Sequence, residues 1–329
     1  MKPKKIVSKE AIHAIRFIFA PFAILILGKI PFELLAFKFP ELNQNLIEHL
    51  SQNTSSANYL ETKARLQWLT SVILYFFVTA VFITFIFQIF RRSLTKSNLW
   101  LFFSIAFFYS VAEITYLSLI DRAKSPIVSI FRFTFDSLNS SGLFTAFELN
   151  LIGNTMSLIN LLAIAIVPFG IMAGCCIMHN QKTSSNPDLN DLLCQSKLIK
   201  DILVGGSSIM VIGIAHMQLW LNWPLSFLAN DPMRHQIEAI TLAVSQYWGV
   251  VYTLTMAALY LPIAFYLTAK TKSLILAGSD EQAKKNPDQW PAENKMLISP
   301  FAQLPQLIAM IAPMLIGSFG TTLGKLMPF

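Results

Sequence analysis

The chain has 329 residues, of which 54% are hydrophobic and only 13% are charged, and its mean hydropathy is +0.54. A soluble domain carries about 25% charged residues, so this composition excludes an ordinary soluble globular protein and indicates a membrane protein. The formal net charge of +7 does not favour a nucleic-acid partner, because the placement of the basic residues fits membrane orientation better.

Apolar runs divide the chain into candidate transmembrane segments. A helix needs about 20 apolar residues to cross the hydrocarbon core of a bilayer, and the runs listed below approach or exceed that length. We therefore predict an all-α integral membrane protein, a polytopic helix bundle with six or seven transmembrane helices. Residues 1–329 form a single transmembrane domain, with no large soluble domain. The predicted spans are residues 11–30, 67–90, 99–120, 151–178, 202–221 and 239–269.

The C-terminal segment, residues 301–323, is apolar but interrupted by proline and glycine, including Pro313 and Gly317. Such residues break or bend helices, so three placements agree with this pattern. The segment is a seventh spanning helix, a re-entrant segment or an interfacial helix. The sequence leaves these alternatives open.

The connection formed by residues 121–150 is unusually apolar for a loop. Between Phe131 and Asp136, apolar and polar residues alternate with the period of a strand, yet a lone strand has no partner in a helical bundle. We therefore expect this connection to lie in the headgroup region of the membrane.

The distribution of Lys and Arg predicts the orientation. With seven spans and the N-terminus in the cytoplasm, the cytoplasmic loops carry about twice as many Lys and Arg residues as the opposite loops, as the positive-inside rule requires. If the first run lies flat in the cytoplasmic leaflet, the asymmetry nearly vanishes. Trp68, Trp220 and Trp223 then fall at the outer interface, where aromatic belts are found. Compact loops and the lack of targeting features favour a bacterial inner membrane.

One carboxylate, Glu113, interrupts the span 99–120. A charge at that depth costs about 2.5 kcal/mol or more, so Glu113 should face protein or a water-filled cavity. Tyr109 and Tyr116 precede and follow it by four and three residues, which places both on the same helix face.

Three further polar residues fall at a similar depth in the predicted orientation: His216, Asn160 and Gln246. Together with Glu113 they lie within about 5 Å in depth, in the outer third of the membrane. We predict a buried polar layer in which Glu113 pairs with His216, supported by the tyrosines and amides. Amides and histidines within spans also serve as simple hydrogen-bond links between helices, and that structural interpretation competes for Asn160, Gln246 and His216.

These residues favour a channel or transporter that passes an ion or a small solute, with Glu113 and His216 lining or gating the path. The main alternative is a non-catalytic membrane subunit of a larger envelope complex for secretion, conjugation or defence. A membrane enzyme ranks third, because no catalytic motif, cofactor fingerprint or metal-ligand spacing is present. The expected partners are the lipid bilayer and either further copies of the chain or other membrane subunits.

Overall fold

The computed structural model describes residues 16–35, 58–93, 96–119, 125–177, 189–228, 233–278, 284–294 and 304–326. The described part contains helices and no strand, which confirms the predicted helical class for those residues. Single turns of 3₁₀ helix, Arg16–Ile18 and Trp223–Phe227, precede α1 and follow α6. The α-helices are α1 Phe19–Leu35, α2 Asn58–Ser93, α3 Lys96–Leu119, α4 Pro126–Ser140, α5 Ala146–Ile177, α6 Leu189–Asn222, α7 Met233–Ala277, α8 Gln289–Glu293 and α9 Leu304–Leu326.

Six segments of the described chain are helices long and apolar enough to cross a membrane, and each contains or overlaps one predicted span. The start of the first predicted span, residues 11–15, lies outside the described residues. Several helices continue past the predicted ends, because helix formation does not stop where hydrophobicity stops. The six segments are Arg16–Leu34, Leu60–Arg91, Trp100–Leu119, Ala146–Ile177, Leu189–Phe227 and Arg234–Ala277.

Contacts between helices show that α1, α3 and α6 run opposite to α2, α5 and α7. Near the end of α1, the Gly28 carbonyl accepts a hydrogen bond of 2.6 Å from Tyr247, near the start of α7. Ser71, early in α2, lies 2.9 Å from His216, late in α6. We call the end of the bundle that holds Trp68, Trp220 and Trp223 the tryptophan end.

Helix α9 packs along α6 and α7, antiparallel to α7, through close backbone contacts. A Cβ atom added to Gly317 would lie only 2.5 Å from the Ser245 carbonyl oxygen, and one added to Gly249 only 2.7 Å from the Pro313 carbonyl oxygen. Glycine at both positions lets the two backbones touch. Gln218 of α6 completes the contact, donating at 3.3 Å to the carbonyls of residues 316 and 317. The part of the C-terminal segment that the structure describes is thus one continuous helix packed in the bundle, and residues 301–303 lie outside the described residues.

The connection 121–150 contains an amphipathic helix, α4, so the strand-like alternation within it is misleading. The buried face of α4 repeats at helical spacing and consists of Pro126, Ser129, Ile130, Phe133, Thr134, Ser137 and Leu138. Its helical period is obscured in the sequence because small polar residues occupy buried positions. Thr134 donates to the Trp220 carbonyl at 2.7 Å, and the Trp220 indole donates to the Phe131 carbonyl at 2.9 Å. Helix α4 therefore packs across the tryptophan end.

Small residues also allow close packing in the middle of the bundle. Phe82 of α2 lies over Gly170 of α5 and Gly205 of α6, where an added Cβ would come within 3.1 Å and 2.7 Å of its ring. Gly174 of α5 similarly faces Leu259 of α7. The core thus places α2, α5, α6 and α7 at fixed distances, and the polar groups described next occupy the spaces towards the tryptophan end.

Candidate functional site

Glu113 of α3 forms an ion pair with Lys29 of α1. The Glu113 side chain is 21% exposed and the Lys29 side chain 19% exposed, so each is mostly but not fully buried. Both lie about 9 Å from the ends of their helices, within the apolar segments of α1 and α3. The predicted charge in this span is therefore balanced by an opposite charge on a neighbouring helix.

The two tyrosines that flank Glu113 take different positions around this pair. The Lys29 ammonium lies over the Tyr116 ring, 4.0 Å from its centroid, a favourable cation–π geometry. The Tyr109 hydroxyl lies beside the Glu113 carboxylate, and its ring packs on Phe22 of α1 at 4.6 Å. The same-face prediction for Tyr109 and Tyr116 agrees with these contacts, and together they surround the ion pair.

A second carboxylate, Glu33, stands one turn after Lys29 on the same face of α1. It accepts hydrogen bonds from the Ser125 hydroxyl at 3.0 and 3.1 Å and lies within electrostatic range of Tyr116. Ser125 also caps the start of α4 by accepting from the Val128 amide. This group of residues thus joins α1, α3 and α4 around one lysine and two carboxylates.

His216 does not pair with Glu113, and this part of the sequence prediction is wrong. Its Nδ1 atom lies 2.9 Å from the Ser71 hydroxyl of α2, and only 4% of the residue is exposed. The rings of Trp68 and Tyr75 lie on it at centroid distances of 6.2 Å each. A shared depth along the helices did not imply contact, because α3 packs mainly on α5, whereas α6 packs mainly on α2, α7 and α9.

Three tyrosines on different helices lie near Glu113, near His216 or within electrostatic range of one another. Tyr109, beside Glu113, is within electrostatic range of Tyr252 on α7. Tyr252 is in turn within range of Tyr75 on α2, whose ring contacts His216. We call these five residues the tyrosine row. Its members belong to α3, α7, α2 and α6.

The two amides of the predicted layer differ in their exposure. Gln246 is exposed, and its backbone lies next to Gly317 where α9 crosses α7. Asn160 is half-buried on α5. The structure therefore does not place Gln246 in a buried polar layer, and neither amide is a member of the tyrosine row.

The three tryptophans predicted at the outer interface are buried rather than exposed as a belt. Trp68, Trp220 and Trp223 are 2%, 1% and 0% exposed, with ring centroids 5.1 to 6.0 Å apart. They do share one end of the bundle, as the sequence predicts, but they form part of its core. Their amphipathic rings are used for packing between α2, α4 and α6.

A compact network of charged side chains lies at the tryptophan end of the bundle. Arg65 donates to both oxygens of Glu61, which is 5% exposed, at 2.9 and 3.1 Å. The Trp223 indole donates to Glu61 at 3.3 Å, and Arg65 also reaches Glu148 of α5 at 3.4 Å. Because the Arg65–Glu61 contact is bidentate and both charges are paired, this network has the geometry of a structural clamp.

Sequence reasoning missed Lys29, Glu33, Ser71, Tyr75 and Tyr252. A signal existed for Lys29, which lies inside the first predicted span and is the opposite charge that Glu113 needs. Glu33 lies beyond the predicted end of that span, whereas α1 continues to Leu35. The tyrosines carry no such signal, because an aromatic residue in an apolar helix is unremarkable.

The described residues contain no group of three or more His, Cys, Asp or Glu side chains that could hold a metal ion. Cys175 and Cys176 are buried in α5, and Cys194 is exposed on α6. No protein-family model, curated protein or solved structure matches the chain. Any functional conclusion must therefore come from the geometry of the ion pair and the tyrosine row.

Proposed function

We propose that the chain is an integral membrane protein that conducts protons or a small cation, with Glu113 as the residue that admits the ion. The proposed location is a bacterial inner membrane with the N-terminus in the cytoplasm, on the strength of the Lys and Arg distribution. In that orientation the tryptophan end faces outward. The ion pair then lies below the outer surface of the bilayer.

The observation that carries this proposal is the partly exposed ion pair between Lys29 and Glu113 in two apolar helices. Charges are expensive in such segments and replacing a buried pair by apolar residues is often neutral or stabilising, so stability alone gives little reason for the pair. The retained surface of both side chains lets an entering ion compete with Lys29 for Glu113. Protonation of the carboxylate releases the lysine in the same way.

The tyrosine row supports a path from this pair into the bundle. Each hydroxyl of Tyr109, Tyr252 and Tyr75 can donate and accept a proton, and His216 has the same capacity. Transfer along the row requires neighbouring hydroxyls to approach one another transiently. A proton fits this row better than a larger solute, because aromatic rings pack on both of its ends: Phe22 of α1 on Tyr109 and Trp68 of α2 on His216.

The test is ion flux in liposomes that contain the purified protein. Wild-type protein is expected to dissipate an imposed proton gradient, detected with a pH-sensitive dye trapped inside. Glu113→Gln is expected to abolish the flux, because the neutral amide does not carry the proton and lacks the negative charge that attracts a cation. Flux retained by Glu113→Gln would overturn the proposal.

A matched control separates the path from general surface charge. Glu238 forms an ion pair with Arg234 on α7 at 3.1 Å, with both side chains about one third exposed, and it touches no member of the row. Glu238→Gln should conduct as wild type does. If no variant and no wild-type preparation conducts protons, sodium or potassium while the protein stays folded, the alternative of a non-transporting subunit of an envelope complex replaces this proposal.

A further inference from the structure

The hydrogen-bond partners around His216 favour one of its two neutral tautomers. Its partner Ser71 lies 2.6 Å from the Trp68 carbonyl oxygen, which can only accept, so the single hydroxyl proton of Ser71 is donated there. The contact between Ser71 and His216 Nδ1 at 2.9 Å must then run the other way. His216 Nδ1 therefore donates its proton to the serine oxygen.

This assignment leaves the other nitrogen as a bare acceptor. In a neutral imidazole only one nitrogen bears a proton, so Nε2 presents a lone pair. Nε2 is buried and has no hydrogen-bond partner within the part of the chain that the structure describes. The imidazole itself is 4% exposed, so bulk solvent does not reach it either.

A donor without a partner lies on the neighbouring ring. The Trp68 Nε1 atom is also buried and lacks a hydrogen-bond partner among the described residues. Its indole packs on the imidazole, with ring centroids 6.2 Å apart. Leaving a buried donor and a buried acceptor unsatisfied is unfavourable, and buried water is the usual way in which proteins satisfy such groups.

We propose that His216 and Trp68 form a buried binding site for a water molecule, which accepts from the Trp68 indole and donates to His216 Nε2. Ser71 is the positioning residue of this site, because it holds the imidazole in the tautomer that presents a lone pair. The site rests on these contacts alone. The role of this water in conduction rests on the proposed function, in which the water receives or supplies the proton at His216, the buried end of the tyrosine row.

Nuclear magnetic resonance of the full-length protein in lipid, with ¹⁵N-labelled histidine and tryptophan, tests the site directly. The sequence has only 5 His and 6 Trp residues, so His216→Gln and Trp68→Phe suffice to assign both signals. We expect the Nδ1-protonated tautomer for His216. We also expect magnetisation transfer from water to the Trp68 indole proton.

An Nε2-protonated His216 in the wild type would overturn the proposal. It would also be overturned if the Trp68 indole proton received magnetisation from protein protons and none from water. The Ser71→Ala variant sharpens the result, because it removes the acceptor of the Nδ1 proton and should yield a mixture of tautomers. Thr70, next to Ser71 in sequence, provides the control. Thr70→Ala removes an exposed hydroxyl that donates to the Leu66 carbonyl, and it should leave the tautomer of His216 unchanged.

The two proposals fail separately. The spectra decide the water site whether or not the protein conducts ions. Conduction is decided by the liposome flux of the wild type and Glu113→Gln, neither of which alters the residues around His216.

Discussion

Two pairs of helices in this bundle are held together by opposite means. Helices α7 and α9 touch backbone to backbone, because Gly249 and Gly317 leave no side chain between them. Helix α1 instead packs mainly on α7, and α3 packs mainly on α5. The Lys29–Glu113 ion pair bridges α1 and α3. A backbone contact fixes a distance, whereas an ion pair of long side chains can open and close. The proposed response to an ion is therefore assigned to the contact between α1 and α3, which we call the seam.

The largest effect is expected from Gly317→Ala, which tests the rigid pair. The new Cβ would lie 2.5 Å from the Ser245 carbonyl oxygen, closer than any stable contact, so α9 must move away from α7. Overpacking of this kind costs about 1–3 kcal/mol, and we expect the upper part of that range because backbone atoms must yield. The measurement is the apparent free energy of unfolding in detergent titrated with denaturing surfactant.

Gly213→Ala is the matched control for that variant. A Cβ at this position meets only Tyr75, at 3.9 Å, which is an ordinary contact. Alanine is favoured over glycine in a helix by about 1 kcal/mol, so Gly213→Ala should be neutral or stabilising. Equal losses in the two variants would contradict the difference between these positions.

An intermediate effect is expected at the seam. Lys29→Met leaves Glu113 without its counter-charge in an apolar helix, and breaking a fully buried pair costs about 3–5 kcal/mol. Since about one fifth of each side chain stays exposed, we expect a smaller loss of about 1–2 kcal/mol in the apparent free energy of unfolding, measured in the same surfactant titration.

The double variant Lys29→Met/Glu113→Gln completes a cycle for this pair. It should recover most of the stability lost in Lys29→Met, because no charge is then left unpaired. Additive losses in the double variant would show that the two side chains are not coupled, and the seam would have to be held by other contacts.

The smallest effect is expected from Ser71→Ala, which leaves the seam and the rigid pair untouched. The variant removes the acceptor of the His216 Nδ1 proton, and an unsatisfied buried donor costs about 1–3 kcal/mol. We expect about 1 kcal/mol, because the smaller side chain leaves room for the imidazole to adjust. Thr70→Ala, on the exposed face of the same helix, is expected to unfold as wild type does.

Hydrophobicity along the chain determined the helices themselves. Each apolar run of about 20 or more residues became a long helix, since backbone groups in an apolar setting must bond within their own segment. Glu113 was also identifiable from sequence, because a lone carboxylate in such a run requires a special environment. The amphipathic character of α4 was harder to read, because Ser129, Thr134 and Ser137 are buried polar residues.

Tertiary structure alone decided which of these groups meet. Depth along a helix is a one-dimensional quantity, so a similar predicted depth for Glu113 and His216 did not make them partners. Contact also depends on how each helix is rotated and on which helices are neighbours, and α1 rather than α6 presents its charge to α3. The partners of Glu113 and His216, the buried tryptophans and the tyrosine row follow from that packing, because side chains from separate helices are brought together only when the bundle closes.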